Sequence, residues 1–523
     1  MKPSTKSYSR FSVQPQDLDA IVSAAMHCGG DYCDLYFEDT AYWTLMLRDG
    51  EVGSCGHHID YGCGVRVLSG DKTGYAYSES TDRASLLAAA RRAATIADGS
   101  SAPAREILPP GGETGHSAPA NGKILPLGGE PGHSAPANGE ILPPGGETGH
   151  SAPANPYRAF GLDAPRPYSM RGSLLDASCT DLAAWLVRLD SRIRSKDTRV
   201  SKVIANLSWS LSEILMYNSF GQACTDSRPL VSISINAVFV SEGKVQNGGA
   251  SRSLRQGTEF ITEALLEELA CETVRGIDER FAARRPKGGV MSVVMGAGAS
   301  GILLHEAMGH SFEADHCRKG QSIFEGRIGQ RICRSGINIV DDGTLPSYRG
   351  SCAYDDELVP SQKTYMVEDG VLTSYLHDRI SARFYGVDST GNGRRESFRY
   401  NPIPRMRSTY MESGQDGTCE DLIAEVGSGL YVDEFSNGQV KIGEGDFTFY
   451  VKSGFLIENG RLTMPVKDIN IIGNGPEALA SIRAVASDLV IDKGTWTCGK
   501  GQNVPVSCGI PSVIVDGLTV GGE

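Results

Sequence analysis

The chemistry starts at His305-Glu306-Ala307-Met308-Gly309-His310. Neutral imidazoles suit zinc, and a carboxylate beside one of them suits a general base that takes a proton from water. A Lewis acid to polarise a carbonyl and a base to activate water are what peptide-bond hydrolysis needs. The spacing is one residue longer than the familiar H-E-x-x-H. At about 100° per residue, an ideal helix aims histidines five positions apart about 140° away from each other. Both reach one ion only if the helix bends or winds wide. Gly309, just before the second histidine, predicts a π-bulge or a kink there.

A catalytic zinc takes three protein ligands and keeps one position open. Glu313, Asp315, His316 and Cys317 are local candidates for the third ligand. The distant candidate is Cys498, in Gly494-Thr495-Trp496-Thr497-Cys498-Gly499-Lys500-Gly501-Gln502, and Cys508 stands close by. A cysteine among glycines and near a lysine has the setting of a thiolate. Arg394, Arg395 and His377 are candidates for stabilising an oxyanion, each against a structural or surface role.

A second motif overlaps the first. Gly296-Ala297-Gly298-Ala299-Ser300-Gly301 matches G-x-G-x-x-G between a strand and a helix, the setting of a dinucleotide site. The alternative is therefore a dinucleotide-dependent oxidoreductase using the Gly296–Gly301 turn. The sequence after the helix, Arg318-Lys319-Gly320-Gln321, is polar and does not read as a second parallel strand. The glycines also suit mere close packing of strand on helix. A non-catalytic assembly subunit is a further alternative, one that would not need an intact metal set.

The elements that position these residues read as an α+β chain. Residues 16–28 read as an amphipathic helix, 32–37 and 64–68 as β-rich, and 81–97 as a helix capped at Thr81-Asp82. A helix over 181–195 is followed by half-buried antiparallel strands at 203–209 and 231–238, where apolar and polar residues partly alternate. A long helix is expected over 254–283, ending at Arg284-Arg285-Pro286-Lys287-Gly288-Gly289. The expected domains are an N-terminal α/β domain, 1–98 with 156–285, and a β-rich C-terminal domain, 286–523, carrying the metal-binding helix. Between the two N-terminal pieces, the stretch beginning at His116 returns at His133 and His150, 17 residues apart each time. This Pro/Gly-rich insertion, 99–155, has no periodic apolar face and reads as a flexible linker.

The chain has 523 residues, enough for two or three domains, and a formal net charge of −13. That charge disfavours direct nucleic-acid binding. No apolar run is long enough for a membrane span, and no apolar stretch follows the N-terminus as in a secretory signal. Thirteen cysteines without a CxxC pair suit free thiols in the cytoplasm.

Several motifs in order carry a resemblance. Besides His305–His310, they are Arg318-Lys319-Gly320, Val340-Asp341-Asp342-Gly343-Thr344 and Thr390-Gly391-Asn392-Gly393-Arg394-Arg395. Downstream come Ile472-Gly473-Asn474-Gly475-Pro476-Glu477 and Cys498-Gly499-Lys500-Gly501-Gln502-Asn503-Val504-Pro505-Val506. The chain resembles the TldD/PmbA family, on its TldD-like, metal-bearing branch. The resemblance implies His305, His310 and Cys498 as Zn2+ ligands, Glu306 as general base, and the glycine turn as scaffold. It also implies a small or unfolded peptide substrate held as an added β-strand. A dimer is implied, with itself or with a TldE/PmbA-like subunit. The family's label as a modulator of DNA gyrase would reflect an indirect link.

Overall fold

Alternation of apolar and polar side chains builds the first sheet. Strands β1 (Tyr32–Arg48), β2 (Glu51–Ser69), β3 (Lys72–Ser78), β4 (Val200–Asn218), β5 (Ala223–Ser241) and β6 (Lys244–Leu254) pair antiparallel in the order β3-β2-β1-β4-β5-β6. The computed structural model describes residues 3–97, 160–168, 170–171, 175–298 and 300–522. The repeat expected over 99–155 lies outside them.

Along β4, Val203, Ala205, Leu207, Trp209 and Leu211 are buried, while Ser208, Ser210 and Ser212 face the other way. The apolar face is covered by α1 (Pro15–Met26), α2 (Arg83–Ala94), α3 (Cys179–Lys196) and α4 (Glu263–Val274). Asp82 caps α2 by accepting the Ser85 N–H.

The single helix expected over 254–283 is not formed. The chain leaves β6 at Leu254, forms α4, and restarts as α5 (Ile277–Ala282). Between the two helices Arg275 is extended and Gly276 is left-handed, with φ 70°. The apolar spacing continues across the break, so periodicity alone joins what one left-handed glycine separates.

The remaining chain is β-rich. Its elements include β7 (Gly289–Met295), α6 (Gly301–Ala307), α7 (Ala314–Arg318), β8 (Ile339–Asp342), β9 (Ser408–Met411), β10 (Ser428–Val440), β11 (Asp446–Glu458) and β12 (Asn470–Asn474). After these come β13 (Thr497–Gly499), β14 (Asn503–Pro505), β15 (Ser507–Ile510) and β16 (Val513–Gly521). The path β10-β7-β16-β12-β11 closes on itself because β10 also pairs with β11. A second sheet holds β8, β9 and β15, and β13 and β14 form a two-stranded hairpin. The class is α+β.

This topology does not favour the dinucleotide reading. β7 runs parallel to β10 and antiparallel to β16. The Gly296 and Gly298 N–H groups donate to Val432 O (2.8 Å) and Ile510 O (2.9 Å), so these amides are used inside the protein. A Cβ on Gly301 would lie 2.6 Å from the Gly509 nitrogen, so that glycine lets α6 sit directly on β15.

The serine-bearing face of the first sheet meets the β-rich half. Tyr36, Ile214, Met216, Tyr354, Leu358 and Phe398 share one apolar cluster there. Arg66 pairs with Asp34 and, at 2.5 Å, with Glu357, all three buried.

Candidate metal centre

α6 is short because its packing stops it. Leu303, Leu304 and Ala307 are buried in the largest apolar cluster. Gly475 allows the next approach: a Cβ there would lie 2.4 Å from the Ala307 carbonyl. At Met308 the backbone leaves the α region (φ −130°, ψ −45°), and residues Gly309–Phe312 form a 3₁₀ turn. The bend expected at Gly309 is therefore a helix stop one residue earlier followed by a tighter turn, not a π-bulge. Gly309 matters for space, since a Cβ would fall 2.1 Å from the Met406 sulfur.

The break changes where the histidines point. The His305 and His310 ring centroids lie 5.2 Å apart at 79°. Cys498 Sγ lies 3.3 Å from His310 Nε2. His305, His310 and Cys498 each offer a ligand atom within 4.8 Å of the others, and all three are buried. Neither ring nitrogen of His305 has a hydrogen-bond partner. A buried imidazole with both nitrogens free, a second imidazole and a thiol form a donor set that fits zinc.

The electrostatics suit a thiolate. Burial raises the Cys498 pKa, but the His305 and His310 imidazoles outweigh it and bring it down to about 4. Burial opposes protonation of His310, while Glu313 and Cys498 together outweigh it and hold the pKa well above the usual value. Glu306 is half-buried, and its carboxylate has no hydrogen-bond or ion-pair partner among the described residues.

The other candidates take different places. Glu313 Oε2 lies 2.9 Å from His310 Nδ1, so Glu313 orients a histidine. Lys500 Nζ lies 3.0 Å from Glu313 Oε2 and donates to Asp315 Oδ1 at 2.6 Å. Glu313, Asp315 and His316 also cluster within 4.8 Å, but the Lys500 ammonium already serves both carboxylates. Cys317 donates to Ser311 O at 3.4 Å, and burial pushes its thiol up to about 12. Burial first, then Asp492 and Glu306, keeps the Cys508 thiol protonated. Arg394 donates to the Met406 and Pro505 carbonyls, and Arg395 pairs with Asp34 at 3.2 Å; both are buried. His377 is buried against Tyr375 and Tyr385, with its pKa pushed down to about 4 by burial.

Pattern reading missed Arg405. Its Nη2 donates to Cys498 O at 2.6 Å and its Nη1 to Gln502 O at 2.9 Å, fixing the hairpin that carries the thiol. The Arg405 N–H donates to Asn392 O, and Asn392 Nδ2 donates to Arg405 O (3.0 Å) and to Asp341 Oδ2 (2.7 Å). Two of the sequence motifs thus meet to hold the arginine that holds Cys498. A fully buried arginine has no periodic signature that would have marked it.

Descriptions of one family match three stretches of the chain. They are PmbA/TldA metallopeptidase domain 1 over residues 33–97, the central domain over 173–282 and the C-terminal domain over 288–522. A metalloprotease TldD homolog from Haemophilus influenzae is 36% identical over 518 residues, covering 98% of this chain and 97% of that protein. The chain belongs to the PmbA/TldA metallopeptidase family. Its fold is shared with a crystal structure from Bacteroides thetaiotaomicron, with TM-score 0.70 and 16% identity over 97% of this chain and 98% of that one. TldE from Thermococcus kodakarensis matches with TM-score 0.68 and 18% identity, over 97% and 100% of the two chains.

Proposed function

We propose that this family member is a zinc peptidase in which His305, His310 and Cys498 hold the ion and Glu306 is the general base. The observation that carries the reading is the meeting of two imidazoles and one thiol with both His305 nitrogens otherwise unpartnered. A zinc ion held there supplies Lewis acidity to the scissile carbonyl and to the attacking water. Glu306, next to His305 and free of other bonds, takes the water proton and returns it to the leaving amine. Glu313 fixes the His310 ring through Nδ1, which leaves Nε2 for the ion. Arg405 sets the Cys498 backbone.

The burial of all three ligating residues supports a small or unfolded peptide as substrate, held in an extended conformation. The active form is a dimer, with a second copy or with a TldE/PmbA-like subunit. Among the described residues no helix is long and apolar enough to cross a membrane. Thirteen free cysteines support a reducing, cytoplasmic setting. A purely structural subunit would leave the unpartnered His305 without a reason.

The test is peptide digestion read by mass spectrometry, alongside elemental analysis. Wild type should carry about one zinc per chain and cleave unstructured peptides in a chelator-sensitive way. Glu306→Gln should keep the zinc and lose cleavage. Cleavage by Glu306→Gln at the wild-type rate would sink the mechanism. Activity only after adding a TldE/PmbA-like subunit would select the heterodimer.

A further inference from the structure

Between the serine-bearing face of the first sheet and the β-rich half lies a cavity of about 270 Å³. It is separate from the donor cluster. Asn503 and Pro505 of β14 line it, and they pair with Gly499 and Thr497. Cys498 pairs with Val504, so its side chain projects from the opposite face of the hairpin.

Five arginines line this cavity, and two of them are neutralised. Arg228 pairs with Asp226 and Asp356, and Arg395 pairs with Asp34. Arg255, Arg394 and Arg407 are different. Each is buried, and none has a carboxylate within ion-pair distance among the described residues. Their bonds go to neutral carbonyls: Arg255 to Arg349 O, Arg394 to Met406 O and Pro505 O, Arg407 to Gly391 O and Gly350 O. The Arg407 Nη2 has no partner at all. Buried guanidiniums without counter-ions are costly, and a guanidinium fork matches carboxylate or phosphate oxygens. Of the acidic residues that line the cavity, Asp356 is held charged against burial by Arg228 and Arg395 and is paired with Arg228, Glu396 accepts from the Asn503 N–H, and burial pushes Glu38 up to about 7. Burial and then the neighbouring Arg407 pull Arg394 down to about 9, the signature of cations crowded without an anion.

We propose that this cavity binds a compact oxyanion, a carboxylate or a phosphate, held by Arg255, Arg394 and Arg407. Half-buried Ser210 and Ser212 of β4 also line the cavity, and the oxyanion is either a free ion or an acid group carried on a peptide. The site stands independently of the metal reading.

The test is calorimetric titration of the full chain with two probes. One is inorganic phosphate. The other is an acetylated tripeptide with a free C-terminal carboxylate, set against its amide. Wild type should bind at least one of the two acids. Arg394→Gln should weaken binding by about tenfold or more. Ser212→Leu, which fills the cavity opposite Arg228 while leaving Arg255, Arg394 and Arg407 in place, should do the same, and it decides the matter if Arg394→Gln does not fold. Binding of the free-acid peptide but not its amide assigns the anion to a peptide, and binding of phosphate alone assigns it to a free ion. No binding of either probe by wild type, or wild-type affinity in Ser212→Leu, overturns the proposal.

Discussion

Replacing Glu313 with Gln removes one negative charge from the most charged contact behind the donor cluster. Its oxygens lie 2.9 Å from His310 Nδ1, 3.0 Å from Lys500 Nζ and 3.9 Å from Arg405 Nε. Burial alone would raise its pKa, but Lys500, then His310, hold it far below the usual carboxylate range. At an effective dielectric of about 20, Lys500 at 3.0 Å contributes roughly 5 kcal/mol of attraction and Arg405 at 3.9 Å roughly 4 kcal/mol. Desolvation of the carboxylate, of several kcal/mol, offsets much of this. Lys500 also keeps Asp315 at 2.6 Å, so the fold should survive. A carboxamide still accepts from His310 and keeps the ring in place, but the imidazole becomes a poorer donor. Loss of such an outer partner weakens metal binding by about 10–100-fold, roughly 1.4–2.7 kcal/mol. The assay is competition for zinc against a chromophoric chelator. Asp315→Asn is the control, because it also loosens Lys500 but leaves His310 alone, and it should bind zinc within about twofold of wild type. Equal zinc affinity in Glu313→Gln and wild type, or an equal loss in Asp315→Asn, would refute the orienting role.

Cys498→Ser should keep the fold, because Arg405 bonds the backbone carbonyl, and should lose its zinc on dialysis, as elemental analysis and circular dichroism would show. Gly309→Ala should cost about 1–3 kcal/mol by driving a methyl into Met406, and adding Met406→Ala should return zinc content toward wild type. Gly276→Ala should cost about 1 kcal/mol in denaturant unfolding with no change in peptide cleavage, because only the left-handed backbone is strained. Glu38 titrates near 7 in the fold against an ordinary 4.5, so its contribution is complete below 4.5 and is lost as pH rises through about 7. The full effect is on the order of 3 kcal/mol, and Glu38→Gln should therefore flatten the fall in Tm between about pH 5 and about pH 8.

Residue types in the motifs made the donor cluster legible, and the structure brings His305, His310 and Cys498 to one place. The means of bringing them together was not legible. It depends on Met308 leaving the helix and on Met406 pressing against Gly309, a contact between residues almost a hundred positions apart. Glu313 was legible as a nearby carboxylate but not as the partner of His310, because spacing does not say which oxygen meets which nitrogen. The sheet strands at 203–209 and 231–238 were readable because one face is buried and the other is serine-rich. The helix over 254–283 was misread because a left-handed turn at Gly276 interrupts the backbone without interrupting the apolar pattern.

The thiol of the donor cluster comes 188 residues after His310. Synthesis runs in one direction, at about 5–20 residues per second, so a growing chain carries both histidines for roughly 10–40 s before the sulfur exists. During that interval it has two of the three donors, and His310 has Glu313 at Nδ1 but no thiol at Nε2. Until then the donor set that the proposed reading needs is incomplete, while the chain is still unfolded and easiest to cut. The spacing of the donors along the chain ties completion of the cluster to completion of the C-terminal hairpin.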